Sequence, residues 1–359
     1  MFCVLGFVVV AALQPTGRMA GAAQANDRGD GATRPQSEIV TVDSTEDQIT
    51  PVPQISVAEA DAAWRGWMAR NGVVASSLAI GLNAEIVHSV GIRRSAQSQY
   101  PMASLSKAVT GICLNQLLND TPYDWASTIG DLQPEWNNIN LSPAQEMMGI
   151  TLGQVATHTS GLPELLNYGT TSTRDVNLSN QSAMTRAALR EASNFSTSGS
   201  YQYSNSNYAI LGTLIEAMSG ESYGEYCGAR ILEPAGAMDA GVTGRMAQTA
   251  GYGGWSMSAE DYARFVMYWF DQSQPWMKAQ AGFPFDSASN YGMGVRAVYR
   301  RGATYVEHTG RWTHRNPIWP NVGSLFFMRE DGVVAVVNWD KSLDFGAYSE
   351  LRDLLYAAL

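Results

Sequence analysis

One serine and one lysine in this sequence are spaced so that they could act together on a substrate. Ser104-Leu-Ser-Lys107 opens a segment whose apolar residues recur at helical spacing, which predicts a helix over residues 104–118. Residues three apart lie on one face of a helix, and the unpaired N–H groups at a helix start favour developing negative charge. If the helix buries Lys107, the pKa of its amine falls, and the neutral amine can accept the hydroxyl proton of Ser104. The alternative is a helix-capping serine beside a solvated lysine.

A tyrosine and an asparagine two residues apart form a second candidate group. Tyr203-Ser-Asn205 follows a loop rich in Ser, Gly and Thr and precedes a helix predicted over residues 208–218. A tyrosine on a loop can carry a proton if neighbouring cations lower its pKa, and an amide can bind a lysine and a substrate carbonyl together. Alternatively, Tyr203 packs where the helix begins and Asn205 caps that helix.

The third candidate group is His308-Thr309-Gly310, which we expect at the end of a strand predicted over residues 303–307. A strand edge that ends in Thr-Gly can offer backbone N–H groups to an oxyanion. The alternative is a turn that merely ends the strand.

Elements at the two ends of the chain differ from those in its middle. A helix is predicted over residues 56–70, with Ser56 as N-cap and Glu59 completing a capping box. The middle of the chain, about 120–250, is mostly helical, and helices are also predicted over 259–270 and 350–358. Strands are predicted over 78–81, 85–90, 294–299, 303–307, 323–328 and 333–338. This arrangement predicts one sheet assembled from both termini, with a helical subdomain inserted between its halves.

Five stretches in a fixed order resemble the serine β-lactamase and penicillin-binding-protein superfamily, and most closely its β-lactamase-related branch around the class C enzymes. They are Tyr100-Pro-Met-Ala-Ser-Leu-Ser-Lys107, Thr157-His-Thr-Ser-Gly-Leu-Pro163, Tyr203-Ser-Asn-Ser-Asn-Tyr-Ala-Ile-Leu-Gly212, Gly254-Trp-Ser-Met-Ser-Ala-Glu-Asp-Tyr-Ala-Arg264 and His308-Thr-Gly310. The resemblance spans residues 55–359. It implies an α+β fold of the β-lactamase/transpeptidase type, in which helices flank an antiparallel sheet.

The resemblance also implies a role for each candidate residue. Ser104 is implied as the acylated nucleophile and Lys107 as its general base or proton partner. Tyr203 is implied to protonate the leaving group and to activate the deacylating water, while Asn205 orients Lys107 and the substrate. The remaining implied positions are the oxyanion hole, made by the backbone N–H groups of Ser104 and Arg311, and the substrate side of the pocket, made by His308, Thr309 and Gly310.

His308 departs from the pattern of the penicillin-recognising members, which usually carry a lysine at this place. A neutral imidazole binds an anion less firmly than a fixed charge does. We therefore expect a serine hydrolase of esters or amides, similar to an esterase or a D-peptidase, that needs no cofactor and no metal. The alternatives are a β-lactamase or D-Ala-D-Ala carboxypeptidase, and a catalytically silent envelope protein that binds peptidoglycan or a partner.

Composition restricts the partners. The chain has 359 residues, 23 basic and 33 acidic, with a net charge of −10, which argues against nucleic acid as a partner. No CxxC or HxxxH pattern occurs, which argues against zinc. We expect a small-molecule ester, amide or peptide as the substrate.

The N-terminal region reads as an export signal. An apolar run over residues 2–13 is too short to span a bilayer, and Ala23-Gln-Ala25 is a typical cleavage site. We predict a signal peptide over 1–25, a flexible linker over 26–54 and a hydrolase domain over 55–359. The mature protein is then periplasmic or secreted and has no membrane span. The alternative is a short uncleaved anchor.

Cys113 and Cys227 would lie in an oxidising compartment after export, where they could pair. Each cysteine sits in an apolar stretch, so we favour two separate buried thiols over a disulfide.

Three further features carry weaker signals. Gly220-Glu-Ser-Tyr-Gly224 matches the G-x-S-x-G pattern, but a helix precedes it where a nucleophile elbow needs a strand, so we reject it. His158 is expected to have a structural hydrogen-bonding role. Trp255, Trp312 and Trp319 lie near the third motif and could form an aromatic wall.

Overall fold

The computed structural model describes residues 55–165, 180–190, 195–196, 199–270, 284–314 and 320–359. In these residues the chain forms a seven-stranded antiparallel sheet, with helices packed on both faces, and a smaller three-stranded sheet. No helix among them is both long and apolar enough to cross a bilayer. The predicted signal peptide, 1–25, and the predicted linker, 26–54, lie outside the described residues.

The described strands are β1 (Ser76–Leu82), β2 (Glu85–Ile92), β3 (Tyr100–Pro101), β4 (Gly241–Val242), β5 (Trp255–Met257), β6 (Tyr291–Gly292), β7 (Val295–Arg300), β8 (Ala303–Trp312), β9 (Val322–Arg329) and β10 (Val334–Trp339). The described α-helices are α1 (Val57–Asn71), α2 (Ser106–Leu118), α3 (Gln133–Asn138), α4 (Leu152–Ala156), α5 (Gln181–Arg190), α6 (Asn205–Ser219), α7 (Tyr223–Cys227), α8 (Ala250–Gly253), α9 (Ala259–Trp269) and α10 (Phe345–Ala358). Turns of 3₁₀ helix cover Ala103–Leu105, Gln145–Met147 and Gly244–Thr249, and a π-helical turn covers Gly228–Leu232.

The large sheet joins the two ends of the domain. Its strand order is β2-β1-β10-β9-β8-β7-β6, and β1 pairs with β10 so that Leu78 lies opposite Val337. The turn between β1 and β2 holds Asn83 and Ala84 at positive φ, as a two-residue hairpin of type I′ requires. The predicted α+β fold, with one antiparallel sheet assembled from both termini, is confirmed.

Alternating residues of the central strands point to two separate cores. Leu78 and Ile80 belong to the core that also contains residues of α1 and α10, whereas Ala79 belongs to the core under the inserted helices. Side chains alternate across a strand, so one sheet supports both helical layers. The helices α2 and α6, which carry the candidate site, lie in the second layer.

Three element boundaries differ by three or more residues from those predicted. Helix α6 begins at Asn205 and α10 begins at Phe345, where the side chain of Asp344 accepts a hydrogen bond from the N–H of Ala347 and caps the helix. Strand β8 continues to Trp312 because residues 308–312 pair with β9. The prediction that His308-Thr309-Gly310 ends a strand is therefore wrong, since these residues lie inside β8.

Cys113 and Cys227 form a disulfide, which contradicts the favoured prediction of two separate thiols. Cys113 lies on α2 and Cys227 ends α7, and both are fully buried in the same apolar cluster. The sequence shows that each cysteine is in an apolar stretch. Only the packing of α2 against α7 brings the two sulfur atoms together.

Replacing both cysteines by alanine is expected to lower the free energy of unfolding by about 2–5 kcal/mol, because the disulfide closes a long loop in the unfolded chain. Denaturant unfolding with and without reductant measures this loss. Reductant should destabilise the natural chain and leave the Cys113→Ala/Cys227→Ala chain unchanged. A natural chain that is indifferent to reductant and shows reactive thiols at both positions after unfolding would contradict the pairing.

Candidate active site

Ser104 and Lys107 face each other where a 3₁₀ turn leads into α2. Ser104 lies in the turn Ala103–Leu105, and Lys107 lies in the first turn of α2. The Nζ of Lys107 is 3.2 Å from the Oγ of Ser104. Ala103 has φ 49°, a region that costs energy for a residue with a Cβ and that often marks functional sites. The predicted serine–lysine contact is present in the structure.

The amine of Lys107 is fully buried among oxygen atoms. Besides Ser104, it donates to Oδ1 of Asn205 at 2.7 Å and to the backbone carbonyl of Tyr252 at 2.7 Å. These three acceptors match the three protons of an ammonium group. Burial nevertheless disfavours the charged form and lowers the pKa of Lys107 to about 7. Near neutral pH a substantial fraction of the amine is therefore uncharged and able to accept a proton.

Glu164 is a member of this group that sequence reasoning missed. Its Oε2 accepts hydrogen bonds from the backbone N–H of Asn205 at 2.6 Å and from Nδ2 of Asn205 at 3.1 Å. Because Nδ2 donates to Glu164, Oδ1 is the atom that faces Lys107. The negative charge of Glu164 also raises the pKa of Lys107, against the effect of burial. One signal was available in the sequence, since Glu164 directly follows the stretch that ends at Pro163.

The ring of Tyr203 lies next to the amine of Lys107. Its ring centroid is 4.9 Å from Nζ of Lys107, within the range of a cation–π contact. The ring is also 4.5 Å from that of His158 and 6.2 Å from that of His308. The structure thus brings Tyr203 together with Ser104 and Lys107, which lie about a hundred positions earlier in the chain.

His158 has the structural hydrogen-bonding role that was expected. It is fully buried, and its Nδ1 accepts from the N–H of Ser204 at 3.2 Å and from Nδ2 of Asn207 at 3.1 Å. Burial and the nearby charge of Lys107 hold the pKa of His158 well below its usual value. The neutral ring therefore ties the Thr157–Pro163 stretch to the residues that flank Tyr203 and Asn205.

Strand β8 passes next to Ser104 with one edge open. Strand β7 pairs with β8 only as far as Glu307, and among the described strands residues 308–312 pair with β9 alone. Gly310 approaches closely, because a Cβ at this position would lie 2.5 Å from the carbonyl of Met102 and 3.1 Å from the N–H nitrogen of Ser104. Only glycine permits this approach.

His308 is neutral and fully engaged within the protein. Its Nδ1 donates to the carbonyl of Thr309 at 2.7 Å, so its Nε2 accepts from the hydroxyl of Tyr291 at 3.1 Å. Burial, reinforced by the nearby charge of Lys107, lowers the pKa of His308 to about 3. This ring carries no positive charge at neutral pH.

A cleft of about 640 Å³ joins these residues to the terminal helix. Ser104 and Tyr203 line it, together with His308, Thr309 and Arg311 of β8. The cleft continues between β7, β8 and α10. Sequence reasoning placed nothing from α10 at the site, because a helix over residues 350–358 gave no sign of what it faces.

The weaker sequence signals do not contribute to this cleft. Ser222 caps α7 after Gly220 ends α6 in the left-handed conformation, which agrees with our rejection of the G-x-S-x-G match. Trp255 and Trp312 are only 1% and 4% exposed, so the predicted aromatic wall is wrong for these two rings, which pack in the core. Trp319 lies outside the described residues.

Comparison with known proteins gives a consistent assignment. The family model described as beta-lactamase matches residues 60–358. Among curated relatives, the protein flp of Staphylococcus aureus strain MW2 is 27% identical over 143 residues, which cover 40% of this chain and 28% of that protein. The match thus spans less than a third of the length of this curated relative.

Solved structures of similar fold include two proteins of low sequence identity. The octameric penicillin-binding protein homologue from Pyrococcus abyssi has a TM-score of 0.68 and 18% identity, over 84% of this chain and 76% of that chain. A D-stereospecific amidohydrolase from Streptomyces sp. has a TM-score of 0.66 and 16% identity, over 84% of this chain and 99% of that chain. At these identities the likeness establishes the fold alone.

Substitution of Glu164 by Gln is expected to lower the pKa of Lys107 further below about 7, because it removes the carboxylate that stabilises the ammonium form. NMR of protein with isotope-labelled lysine measures this directly, since the chain contains only Lys107, Lys278 and Lys341. Lys107→Arg identifies the resonance, and the exposed Glu85→Gln is the matched control. A Lys107 that titrates near 10.5 in the natural chain would contradict the buried geometry.

Substitution of Gly310 by Ala is expected to destabilise the fold by about 1–3 kcal/mol, as overpacking of a dense region does. The added Cβ would overlap the Oγ of Ser324 and would lie 2.5 Å from the carbonyl of Met102. Urea unfolding measures the loss. Gly149→Ala is the control, since nothing lies within 4 Å of its Cβ position, and equal stability of the two variants would argue against the close approach.

Proposed function

Because the chain belongs to the beta-lactamase family, we propose that it is a serine hydrolase whose acyl-enzyme forms on Ser104. One observation carries this proposal. A fully buried lysine with a pKa of about 7 has its Nζ 3.2 Å from a serine hydroxyl that lines a cleft. Burying a lysine costs free energy, because desolvation disfavours its charge. A lysine buried beside a serine hydroxyl at a cleft therefore favours a catalytic role for the pair.

The proposed reaction begins with proton transfer from Ser104 to the neutral amine of Lys107. The serine Oγ attacks the substrate carbonyl carbon, and the oxyanion is held by the N–H groups of Ser104 and Arg311. The phenol of Tyr203 protonates the leaving group as the carbon–heteroatom bond breaks, and the ammonium of Lys107 returns a proton to Tyr203. An acyl-enzyme on Ser104 remains.

Deacylation uses the same groups in reverse order. Tyr203 passes its phenolic proton to the neutral amine of Lys107 and accepts a proton from a water molecule, whose oxygen attacks the acyl carbon. The bond to Ser104 Oγ then breaks, and Ser104 regains a proton from Lys107. Asn205 keeps the amine of Lys107 directed at Ser104 throughout, since its Oδ1 is fixed by the hydrogen bond between Nδ2 and Glu164.

We propose an ester or an amide of modest size as the substrate. A neutral His308 supports this choice over a penicillin, because it supplies no fixed charge at the place where penicillin-recognising members usually have a lysine. The structural neighbour that is a D-stereospecific amidohydrolase also supports amide chemistry. We further propose that the protein is exported, because a disulfide such as Cys113–Cys227 persists in oxidising compartments.

Intact-mass spectrometry tests the nucleophile. After incubation with p-nitrophenyl acetate, a penicillin or a fluorophosphonate, the natural chain should gain one adduct that the Ser104→Ala chain lacks. Whichever reagent the protein turns over faster shows whether it prefers esters or β-lactams. A folded chain that forms no adduct with any of the three would overturn the hydrolase proposal in favour of a binding protein.

Removal of the proposed base should slow acylation by a factor of about 10²–10⁴, the usual contribution of general-base catalysis. Lys107→Met is suitable because an apolar chain of similar length fits the buried position. The burst of p-nitrophenol measures acylation, and Lys341→Met, at an exposed lysine, is the matched control. Equal bursts from the two variants would exclude Lys107 as the base.

A further inference from the structure

The amine of Lys107 depends on a backbone carbonyl as well as on two side chains. That carbonyl belongs to Tyr252 and accepts from Nζ of Lys107 at 2.7 Å. Tyr252 lies in α8, a single helical turn of four residues whose first residue, Ala250, has φ 28°. A residue with a Cβ rarely adopts this conformation, so the surrounding structure must hold the turn in place.

The backbone just before Tyr252 is held from two sides. The N–H of Gly251 donates to Oε1 of Gln181 at 2.7 Å, and the carbonyl of Gly251 accepts from the hydroxyl of Thr110 at 2.5 Å. The amide of Gln181 is itself oriented, because its Nε2 donates to Oε2 of Glu216 at 3.3 Å. Since the carbonyl of Gly251 belongs to the peptide group that leads into Tyr252, these contacts fix the direction of the carbonyl that the amine uses.

Thr110 belongs to a chain of hydrogen bonds whose direction the donors determine. Nε1 of Trp255 can only donate, and it donates to the hydroxyl oxygen of Tyr223 at 2.8 Å. That hydroxyl lies 2.7 Å from Oγ1 of Thr110. Thr110 must donate to Gly251, because an oxygen–oxygen separation of 2.5 Å needs a proton between the two atoms. The hydroxyl of Tyr223 therefore donates to Thr110, and the chain ends on the carbonyl of Gly251.

This chain of hydrogen bonds lies in the core, behind the candidate site. Thr110 and Tyr223 are buried, and both lie outside the lining of the cleft beside Ser104. Burial raises the pKa of Tyr223 above its usual value, so its phenol stays protonated and remains a donor. Because an unpaired polar group in the core costs free energy, the chain resists any shift of α8 against α2.

We propose that Thr110 and Tyr223 are positioning residues for Lys107, because they hold α8 so that its carbonyl accepts from the amine. The inference rests on the proposed function, in which Lys107 exchanges a proton with Ser104. The acceptor carbonyl stabilises the ammonium form and directs the amine, so the chain of hydrogen bonds affects both the basicity and the orientation of the base. Neither residue is catalytic, since each acts through the backbone of α8.

Thr110→Val tests the inference, because valine has nearly the shape of threonine but no hydroxyl. We expect α8 to shift when the carbonyl of Gly251 loses its donor, and the carbonyl of Tyr252 then stabilises the ammonium form less. The pKa of Lys107 should fall by roughly one unit, the effect of losing a hydrogen bond to a charged group. NMR titration of lysine-labelled protein measures this pKa.

The ionisable groups around the amine stay the same in this variant. Glu164 supplies the negative charge that acts on the pKa of Lys107, and burial keeps His158 and His308 neutral. A fall in the pKa of Lys107 in Thr110→Val therefore reports the loss of an acceptor rather than a change of charge.

Two further threonine variants control for the general cost of a substitution in the core. Thr110→Ser keeps the hydroxyl and should keep the pKa that Lys107 has in the natural chain. Thr213→Val removes an equally buried hydroxyl of α6, which bonds to Thr185 at 2.8 Å, and should also leave that pKa unchanged. An unchanged pKa in Thr110→Val, or the same fall in Thr213→Val, would overturn the inference.

Tyr223→Phe tests the chain one step farther from the site, and it carries the test if Thr110→Val does not fold. It should lower the pKa of Lys107 in the same direction but by less, because Thr110 keeps its own hydroxyl. Tyr226→Phe is the matched control, since Tyr226 is a buried tyrosine of the same helix α7 that lies outside the chain of hydrogen bonds. Equal pKa values in the two phenylalanine variants would remove Tyr223 from the proposal.

The pH dependence of acylation gives a readout that a merely structural role would not move. Acylation needs the neutral amine, so the rate of the p-nitrophenol burst should rise with pH through the pKa of Lys107 and then level off. In Thr110→Val the midpoint should lie about one pH unit lower, with a lower plateau because the amine is a weaker and less well directed base. Thr213→Val should keep the natural midpoint, and an unmoved midpoint in Thr110→Val counts against the inference.

The two measurements separate this inference from the proposed function. If the folded natural chain shows no burst and no labelling of Ser104, the hydrolase proposal fails. The NMR titration needs no turnover, so it still decides whether Thr110 and Tyr223 position the amine of Lys107.

Discussion

Burial of the Lys107 amine is the constraint on which the rest of the site depends. A buried ammonium loses its hydration, and only nearby acceptors and a counter-charge make the charged form tolerable. Here the acceptors come from three separate parts of the chain, with Ser104 before α2, Asn205 at the start of α6 and Tyr252 in α8. The inserted helices must therefore pack against each other in one arrangement, because any shift would leave a buried charge without partners.

Glu164 sets how far the amine remains basic. Without a nearby carboxylate, burial would lower the pKa of Lys107 further, whereas a direct ion pair would keep the amine protonated. Glu164 hydrogen-bonds to Asn205 rather than to Lys107, so its negative charge acts on the amine from a distance. The amide of Asn205, which Glu164 holds in place, orients the amine. This indirect arrangement is consistent with a pKa of about 7, at which the amine can both accept and return a proton.

The large sheet leaves part of strand β8 unpaired on one side, next to the candidate site. Strand β7 covers β8 only to Glu307, which leaves the backbone beyond it open beside Ser104. Gly310 then allows the two backbones to come close. The same open stretch exposes the side chains of Thr309 and Arg311 to the cleft.

Local patterns in the sequence determined much of this protein. Helical and strand periodicity predicted one sheet assembled from both termini with helices inserted between its halves. The family resemblance carried by the stretches around Ser104, Tyr203 and His308 identified residues that the structure does bring together, because each stretch is a continuous segment with its own spacing. What the tertiary structure alone decided is which distant segments meet. The pairing of Cys113 with Cys227, the contact of Glu164 with Asn205 and the position of Arg311 against Phe345 all join parts of the chain that no local period relates. Such contacts follow from how helices and strands pack, and packing depends on every face of the fold at once.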